Sequence, residues 1–228
     1  MFMIYVLSDI HGREDRFDNI LNQIDFIDAD HLYILGDIID RTPNGIHLLR
    51  RISRAHNMTM LLGNHEYMML DAIDHPDDKH KQSLWQNSNG GYITWEKWKF
   101  CTHAFKEEML AFLRALPINI ELSYAGKEWL LVHGSPEIMY GPMDYYDYRD
   151  SRKFAVWHRL SESDVIPGNR TVIFGHTPTC YYTDSNPMSI YYGKQRIGID
   201  CGCAYKEGRL ACFRLDDSKE FYSTDLEC

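Results

Sequence analysis

The chain has 228 residues, of which 44% are hydrophobic and 25% charged, proportions that are ordinary for a soluble globular protein and that exclude disorder as its main state. Its 33 acidic and 24 basic side chains give a formal net charge of −9. We expect no nucleic-acid partner, because non-specific nucleic-acid binding needs a basic face.

The first third of the chain predicts a β-α-β-α-β order in which every strand ends in polar residues. Apolar runs at Met3–Leu7, His31–Leu35 and Met58–Leu62 are typical of buried strands. Between them, Arg13–Phe26 and Asn44–Ala55 carry apolar residues at helical spacing. Because functional groups gather at the carboxyl ends of strands in α/β sheets, we expect the functional site there.

The segment 74–103 differs from what precedes it. It is polar, and it holds Trp85, Trp95 and Trp98 around Asn89-Gly90-Gly91. Two interpretations fit this pattern equally: an inserted cap over the site, or a peripheral helical excursion anchored by its tryptophans.

The remainder predicts two more helices and a second group of strands. Helices are expected at Ala104–Ala115, which ends before Pro117, and at Arg152–Leu160. The expected strands are a hairpin of Ile118–Ser123 and Trp129–His133, followed by Thr171–Phe174, Arg196–Ile199, Arg209–Leu215 and Glu220–Ser223. No repeat or linker interrupts the chain. We therefore expect residues 1–228 to form one layered α/β domain, with two packed mixed sheets flanked by helices.

No membrane or export segment is predicted. The apolar run Met1–Leu7 reaches Ser8 and Asp9 too soon to span a bilayer or to act as a signal peptide. The six cysteines, at positions 101, 180, 201, 203, 212 and 228, have no repeated spacing and are expected to be reduced thiols. These features predict a cytoplasmic protein without a membrane partner.

Five polar clusters directly follow predicted strands, and each contains a glycine. They are Asp9-Ile10-His11-Gly12, Gly36-Asp37-Ile38-Ile39-Asp40-Arg41, Gly63-Asn64-His65-Glu66, His133-Gly134 and Gly175-His176-Thr177. Carboxylate, imidazole and amide groups are the ligands that borderline divalent metals take in proteins. One Asp-x-His pair is weak evidence, because a strand end often carries such residues as a cap. Five such clusters together predict one composite metal site.

The order D-x-H, G-D-x-x-D-R, G-N-H-E, H, G-H resembles that of the calcineurin-like metallophosphoesterases. Within them the chain is similar to the phosphoprotein phosphatase family, especially its short bacterial and phage branch of lambda-phosphatase-like proteins. Matches at Leu116-Pro117-Ile118, Trp157-His158-Arg159 and Ile199-Asp200-Cys201-Gly202 extend the resemblance over nearly the whole chain. It implies the metallophosphoesterase fold.

The resemblance also implies two divalent metal ions. The implied ligands are Asp9 and His11 for the first ion, Asp37 as a bridge, and Asn64, His133 and His176 for the second. Thr177 and Pro178 stand where many broader metallophosphoesterases carry a further histidine, which is the phosphoprotein phosphatase pattern. Such mixed ligands favour manganese, with iron or zinc as alternatives.

The implied reaction is hydrolysis of a phosphate ester by in-line attack of a metal-bridging hydroxide, without a covalent enzyme intermediate. The leaving oxygen then needs a proton. His65 is the candidate acid, and Asp40 is expected to orient His65 and to raise its pKa.

Phosphate binding calls for guanidinium donors. Arg41 follows the second motif directly. Arg149, Arg152 and Arg159 are candidates for the second donor, and the Trp-His-Arg match favours Arg159. His158, beside it, is expected at the surface.

The sequence leaves three functions open. The first is a serine/threonine protein phosphatase acting on phosphorylated proteins or small phosphoesters. The alternative is a diadenosine tetraphosphate hydrolase, and the third is a catalytically silent binding protein, against which the complete ligand set argues. Glu66 favours the phosphatase, because the hydrolases commonly carry Asp there, whereas Leu62, in place of a common Arg, favours the hydrolase. Thr42 stands in place of a common glycine and, like Leu62, is expected to affect substrate preference.

The segment Met143–Asp150 is interpreted as a solvated loop or as a groove for basic peptides.

Overall fold

The computed structural model describes residues 2–141, 148, 150–185 and 187–224, which contain a pair of five-stranded sheets stacked on each other. The first sheet contains β1 (Ile4–Leu7), β2 (His31–Ile34), β3 (Met58–Met60), β9 (Ala211–Arg214) and β10 (Glu220–Tyr222), in the order β10-β9-β1-β2-β3. The second contains β4 (Asn119–Tyr124), β5 (Lys127–Val132), β6 (Thr171–Phe174), β7 (Tyr191–Gly193) and β8 (Arg196–Gly198), in the order β4-β5-β6-β8-β7. In both sheets three adjacent strands are parallel and the outer pairings are antiparallel.

Helices cover the outer faces of the two sheets. They are α1 (Glu14–Gln23), α2 (Gly45–Ser53), α3 (Asn64–Asp74), α4 (Lys79–Ser83), α5 (Tyr92–Trp98), α6 (His103–Ala115) and α7 (Ser151–Trp157), with a π-helical turn at Leu84–Ser88. The first three helices and α6 bury apolar stripes against the first sheet, as Leu48, Leu49 and Ile52 of α2 illustrate. Helix α7 covers the second sheet through Phe154.

A third apolar layer lies between the sheets. Side chains alternate along β1, so that Ile4 and Val6 face the second sheet while Tyr5 and Leu7 face the helices. The rings of Trp129 and Phe213 meet across this layer at 6.1 Å. This packing confirms the predicted architecture of two mixed sheets flanked by helices.

Several local predictions also hold, and others are corrected. The hairpin of β4 and β5 turns at Ala125 and Gly126, as expected. Strand β7 was not predicted, and the segment 74–103 contains α4, the π-helical turn and α5. Among the described residues, no helix has the length and apolarity to cross a bilayer. The cysteines that the structure describes are free thiols, and most of the predicted loop Met143–Asp150 lies outside the described residues.

The two sheets meet so that strand ends from both converge. β1, β2 and β3 run parallel, and their carboxyl ends lead directly into the first three polar clusters. β5 and β6 are also parallel to each other and lead into His133 and His176. Residues that are far apart in the chain are thereby brought to one edge of the stacked sheets.

Candidate metal centre

The polar clusters form one buried group in which Asp37 is central. Ligand atoms of Asp9, Asp37 and His133 lie within 4.8 Å of one another, and so do those of His11, Asp37 and His65. Asp37 Oδ1 is 3.5 Å from His133 Nε2, while its Oδ2 is 3.7 Å from His11 Nε2. The two oxygens of one carboxylate therefore face two different ligand sets, which is the geometry of a bridging ligand.

Three imidazoles are held by backbone carbonyls at the ring nitrogen that points away from the centre. His11 Nδ1 donates to the carbonyl of Ile39 at 2.9 Å, and His133 Nδ1 donates to that of Leu35 at 2.7 Å. His176 donates through Nε2 to the carbonyl of Trp157 at 3.1 Å. Because a carbonyl oxygen can only accept, the proton of each ring lies on its outer nitrogen and the lone pair faces inward.

The inward-facing atoms are acceptors without a donor. Asn64 Oδ1 lies 2.9 Å from His133 Nε2 and 2.8 Å from His176 Nδ1. His11 Nε2 is buried and has no hydrogen-bond partner in the described structure. Burial lowers the pKa of all three histidines, so their rings are neutral and keep these lone pairs. Converging lone pairs repel one another unless a cation lies between them, and these residues therefore fit divalent metal ions.

His65 is held differently from the other three histidines. Its Nδ1 lies 2.7 Å from the Asp40 carboxylate, and its Nε2 faces the centre, 3.8 Å from Asp37 Oδ2. The partner of its outer nitrogen is thus a carboxylate instead of a backbone carbonyl. This arrangement suits a residue that exchanges a proton, as in other carboxylate–histidine pairs.

The segment 74–103 holds Asp40 in place. The indole N–H of Trp85 donates to Asp40 Oδ2 at 3.0 Å, and the Thr94 hydroxyl accepts from the Asp40 backbone N–H at 3.0 Å. Trp85, Thr94 and Asp40 are all buried. The sequence did not assign either residue to the site, although Trp85 and the adjacent Asn-Gly-Gly turn marked the segment as unusual.

The electrostatics of the His65–Asp40 pair differ from the expectation. Burial raises the pKa of Asp40 to about 7, although Thr94 and Trp85 act in the opposite direction. Burial, followed by the charge of Arg41, lowers the pKa of His65 well below its usual range. The net shift of the His65 pKa is therefore downward, with desolvation of the ring as its largest cause, and the contribution of Asp40 to that pKa stays a prediction. A phosphoryl dianion beside Nε2 would favour the protonated ring.

The backbone at the site is locally strained, and buried hydrogen bonds hold it. Asp9, His11, Asp37, Asp40, Arg41 and His176 all have positive φ, between 50° and 71°. Such angles cost roughly 1 kcal/mol or more per non-glycine residue. The buried Glu66 carboxylate accepts N–H groups from Asp37, Ile38, Ile39 and Gly63 at 2.8–3.3 Å. Glu66 lies in the first turn of α3 and thus shapes the loop that carries Asp37.

Glycine is required where the two sheets approach each other at the site. A Cβ at Gly175 would lie 2.0 Å from Ser8 Oγ and 2.4 Å from Asp9 Oδ2. A Cβ at Gly63 would lie 2.2 Å from Asp37 Oδ1. These contacts explain why glycine accompanies the polar residues in the motifs.

Two arginines reach the rim of the centre. Arg41 Nη2 is 3.4 Å from His65 Nε2, and Arg159 Nη1 donates to the carbonyl of His176 at 3.0 Å. Arg152 instead donates to the carbonyl of Arg114, and Arg149 lies outside the described residues. The geometry therefore favours Arg159 over Arg152 as the second guanidinium.

Burial corrects the interpretations of His158 and Leu62, and Thr42 has a contact that the sequence did not predict. His158 is buried, stacks on Phe154 at 4.8 Å and pairs with Asp164 at 3.2 Å, so it is not a surface residue. Leu62 is fully buried in the core under the first sheet, where it cannot contact a substrate. The Thr42 hydroxyl donates to the carbonyl of His11 at 2.5 Å and so braces the first motif. Leu62 therefore cannot contact a substrate itself, and the bearing of Thr42 on the substrate stays a prediction.

Comparisons with known proteins agree with this geometry. The model of the calcineurin-like phosphoesterase family matches residues 2–189. Serine/threonine-protein phosphatase 2 of Salmonella typhimurium is 29% identical over 226 residues, which cover 93% of this chain and 92% of that protein. The symmetrical bis(5'-nucleosyl)-tetraphosphatase of Delftia acidovorans is 41% identical over 185 residues, which cover 79% of this chain and 59% of that protein.

The tetraphosphatase relatives are longer than this chain. The chain spans 43% of one from Acidovorax ebreus and 59% of the Delftia protein. Among solved structures, a metallophosphoesterase from Sphaerobacter thermophilus matches with a TM-score of 0.60 and 16% identity, over 99% of this chain and 89% of that one. At that identity the likeness shows the fold alone.

Proposed function

The chain belongs to the calcineurin-like phosphoesterase family and is therefore a hydrolytic phosphoesterase of a dinuclear-metal-dependent family. From this premise we propose that it is a serine/threonine protein phosphatase that uses manganese. The extent of similarity supports this substrate class. The match with a serine/threonine phosphatase covers nearly all of both chains, whereas the matched tetraphosphatases extend well beyond this chain.

One observation carries the metal-dependent chemistry of this proposal. The two oxygens of Asp37 face separate ligand sets, and the lone pairs of His133 and His176 converge on the Asn64 oxygen. Asp9, His11 and Asp37 would hold one divalent ion, and Asp37, Asn64, His133 and His176 the other. Two such ions would supply Lewis acidity that neutralises the charge of a phosphoryl group and acidifies water.

The protein's own side chains would do the remaining work. Arg41 and Arg159 would bind the phosphoryl oxygens through planar guanidinium groups. His65 would deliver a proton from Nε2 to the leaving oxygen, because Nε2 is the nitrogen of that ring which faces the centre. Asp40 would hold the opposite nitrogen and so keep the ring in position.

Hydrolysis of diadenosine tetraphosphate is the second candidate. The 41% identity with the Delftia tetraphosphatase favours it. Leu62, in place of a common arginine, also favours it as a sequence pattern, although the buried leucine side chain cannot contact the dinucleotide.

Parallel initial rates decide between the two. Purified protein with Mn²⁺ would be assayed on a panel of phosphoserine and phosphothreonine peptides and on diadenosine tetraphosphate, with Asp37→Asn as the inactive control. We expect a higher kcat/KM on at least one peptide than on the dinucleotide. A higher kcat/KM on the dinucleotide than on every peptide would refute the phosphatase assignment, and hydrolysis of neither would refute both.

A further inference from the structure

An aromatic ring lies over one of the two phosphate-binding arginines. The guanidinium carbon of Arg41 is 5.6 Å from the centre of the Tyr205 ring. On its other side, Arg41 Nη2 is 3.4 Å from His65 Nε2. The guanidinium therefore lies between the tyrosine and the catalytic centre.

Arg41 needs such a contact because little else holds its charged end. Its backbone N–H donates to the carbonyl of Gly90 at 3.2 Å, which places the Cα but not the guanidinium. The side chain is exposed, and within the described residues no carboxylate forms an ion pair with it. A long exposed side chain loses considerable rotamer entropy when it binds a ligand. A neutral ring restricts the guanidinium without neutralising the charge that the phosphoryl group requires.

The loop that carries Tyr205 is itself firmly held. Arg16 is 3% exposed, and its Nη1 donates to the carbonyls of Cys203 at 2.7 Å and Gly208 at 2.5 Å. The Tyr205 backbone N–H donates to the carbonyl of Gly202 at 2.8 Å, and the Gly202 N–H donates to the Asp200 carboxylate at 2.9 Å. Both ends of the loop are thus tied to buried groups, so the ring is presented from a rigid support.

We propose that Tyr205 is a positioning residue that holds the Arg41 guanidinium ready for the phosphoryl group. The proposal rests on the proposed function in one respect, that Arg41 binds phosphate. It adds a residue outside all five polar motifs, brought to the site from the turn before β9. Its action is on phosphoryl binding, because a contact to Arg41 acts equally in the ground state and the transition state.

The test removes the ring and measures phosphate binding. Tyr205→Leu should raise the KM for para-nitrophenyl phosphate, and the Kd for inorganic phosphate measured by calorimetry on the Mn²⁺-loaded protein, by the same factor. That factor is about two- to fivefold for an exposed cation–π contact. The kcat should change less than twofold, because uniform binding is lost. Tyr205→Phe should restore both constants, since it keeps the ring and lacks only the hydroxyl.

The matched control is Tyr192→Leu. Tyr192 is 51% exposed against 42% for Tyr205, and its hydroxyl donates to Glu220 at 2.5 Å. Its ring lies on β7 and, among the described residues, no arginine stacks on it. It should leave both constants unchanged. Wild-type affinity for phosphate in Tyr205→Leu, an equal loss in Tyr205→Phe, or no phosphate binding by the wild-type protein would each overturn the proposal. The calorimetric result does not depend on which ester is cleaved, so a failure of the peptide assay and a failure of this test are distinguishable.

Discussion

Substitution of Trp85 by phenylalanine separates the support of the site from its chemistry. Trp85 lies in the π-helical turn of the segment 74–103, and its indole N–H donates to the Asp40 carboxylate at 3.0 Å. Within the described part of the chain it makes no hydrogen bond to a predicted metal ligand. The phenylalanine ring keeps most of the packing and removes this donor. If the segment positions the acid–carboxylate pair, the substitution must impair turnover as well as stability.

The expected loss of stability has two sources. Above the raised pKa of Asp40, about 7, its carboxylate is a charged acceptor, and a hydrogen bond to it contributes about 1.5–3 kcal/mol. The smaller ring leaves a cavity that costs roughly 1 kcal/mol more, because Trp85 is fully buried. We therefore expect the free energy of unfolding to fall by about 2.5–4 kcal/mol. The kcat should fall roughly three- to thirtyfold, a fraction of the 10²–10⁴-fold that complete loss of a general acid costs.

Trp98→Phe is the matched control, because Trp98 is 3% exposed in the same segment and packs against Phe105 at 6.3 Å. It should lose only the packing contribution to stability, about 1 kcal/mol, and keep its kcat. Urea unfolding followed by far-ultraviolet circular dichroism measures the first quantity, and saturating rates on a phosphoserine peptide measure the second. Equal kcat losses in the two variants, or an unchanged kcat in Trp85→Phe, would show that the indole donor does not position Asp40.

Three further outcomes are expected. EDTA should abolish activity and added Mn²⁺ should restore it, because the buried lone pairs of the candidate ligand atoms converge with no donor between them. Full activity of protein shown by elemental analysis to be metal-free would contradict this. His65→Asn should lower kcat roughly 10²–10⁴-fold on phosphoserine peptides and less on para-nitrophenyl phosphate, and it should leave the metal content intact. An equal loss of kcat on both substrates, or a loss of metal, would indicate that His65 is a ligand instead of an acid. Asp37→Asn should cost more turnover than Asp9→Asn or Asn64→Ala, since Asp37 is shared by the two ligand sets found among the described residues. Equal mild losses would argue against a bridging role.

The sequence located the strands and the polar residues that the structure gathers at their ends. Alternating and continuous apolar runs located β1, β2 and β3, and the polar clusters at their ends contain the residues that the structure brings together. Such signals are readable because strand periodicity and motif spacing are local properties of the chain. The short strand β7 was not predicted, because its sequence Tyr-Tyr-Gly ends in glycine, a residue that is depleted in strands.

Only the tertiary structure decided which side chains support the site and which lie in the core. Trp85 and Thr94 reach Asp40 from about 50 residues away, and Tyr205 reaches Arg41 across 164 positions of sequence. Leu62 and His158, beside motif residues, turn into the interior instead. Even the pKa of His65 depended on burial more than on its neighbouring carboxylate. Desolvation and the orientation of a side chain are set by the elements packed against it, and those elements come from distant regions of the chain.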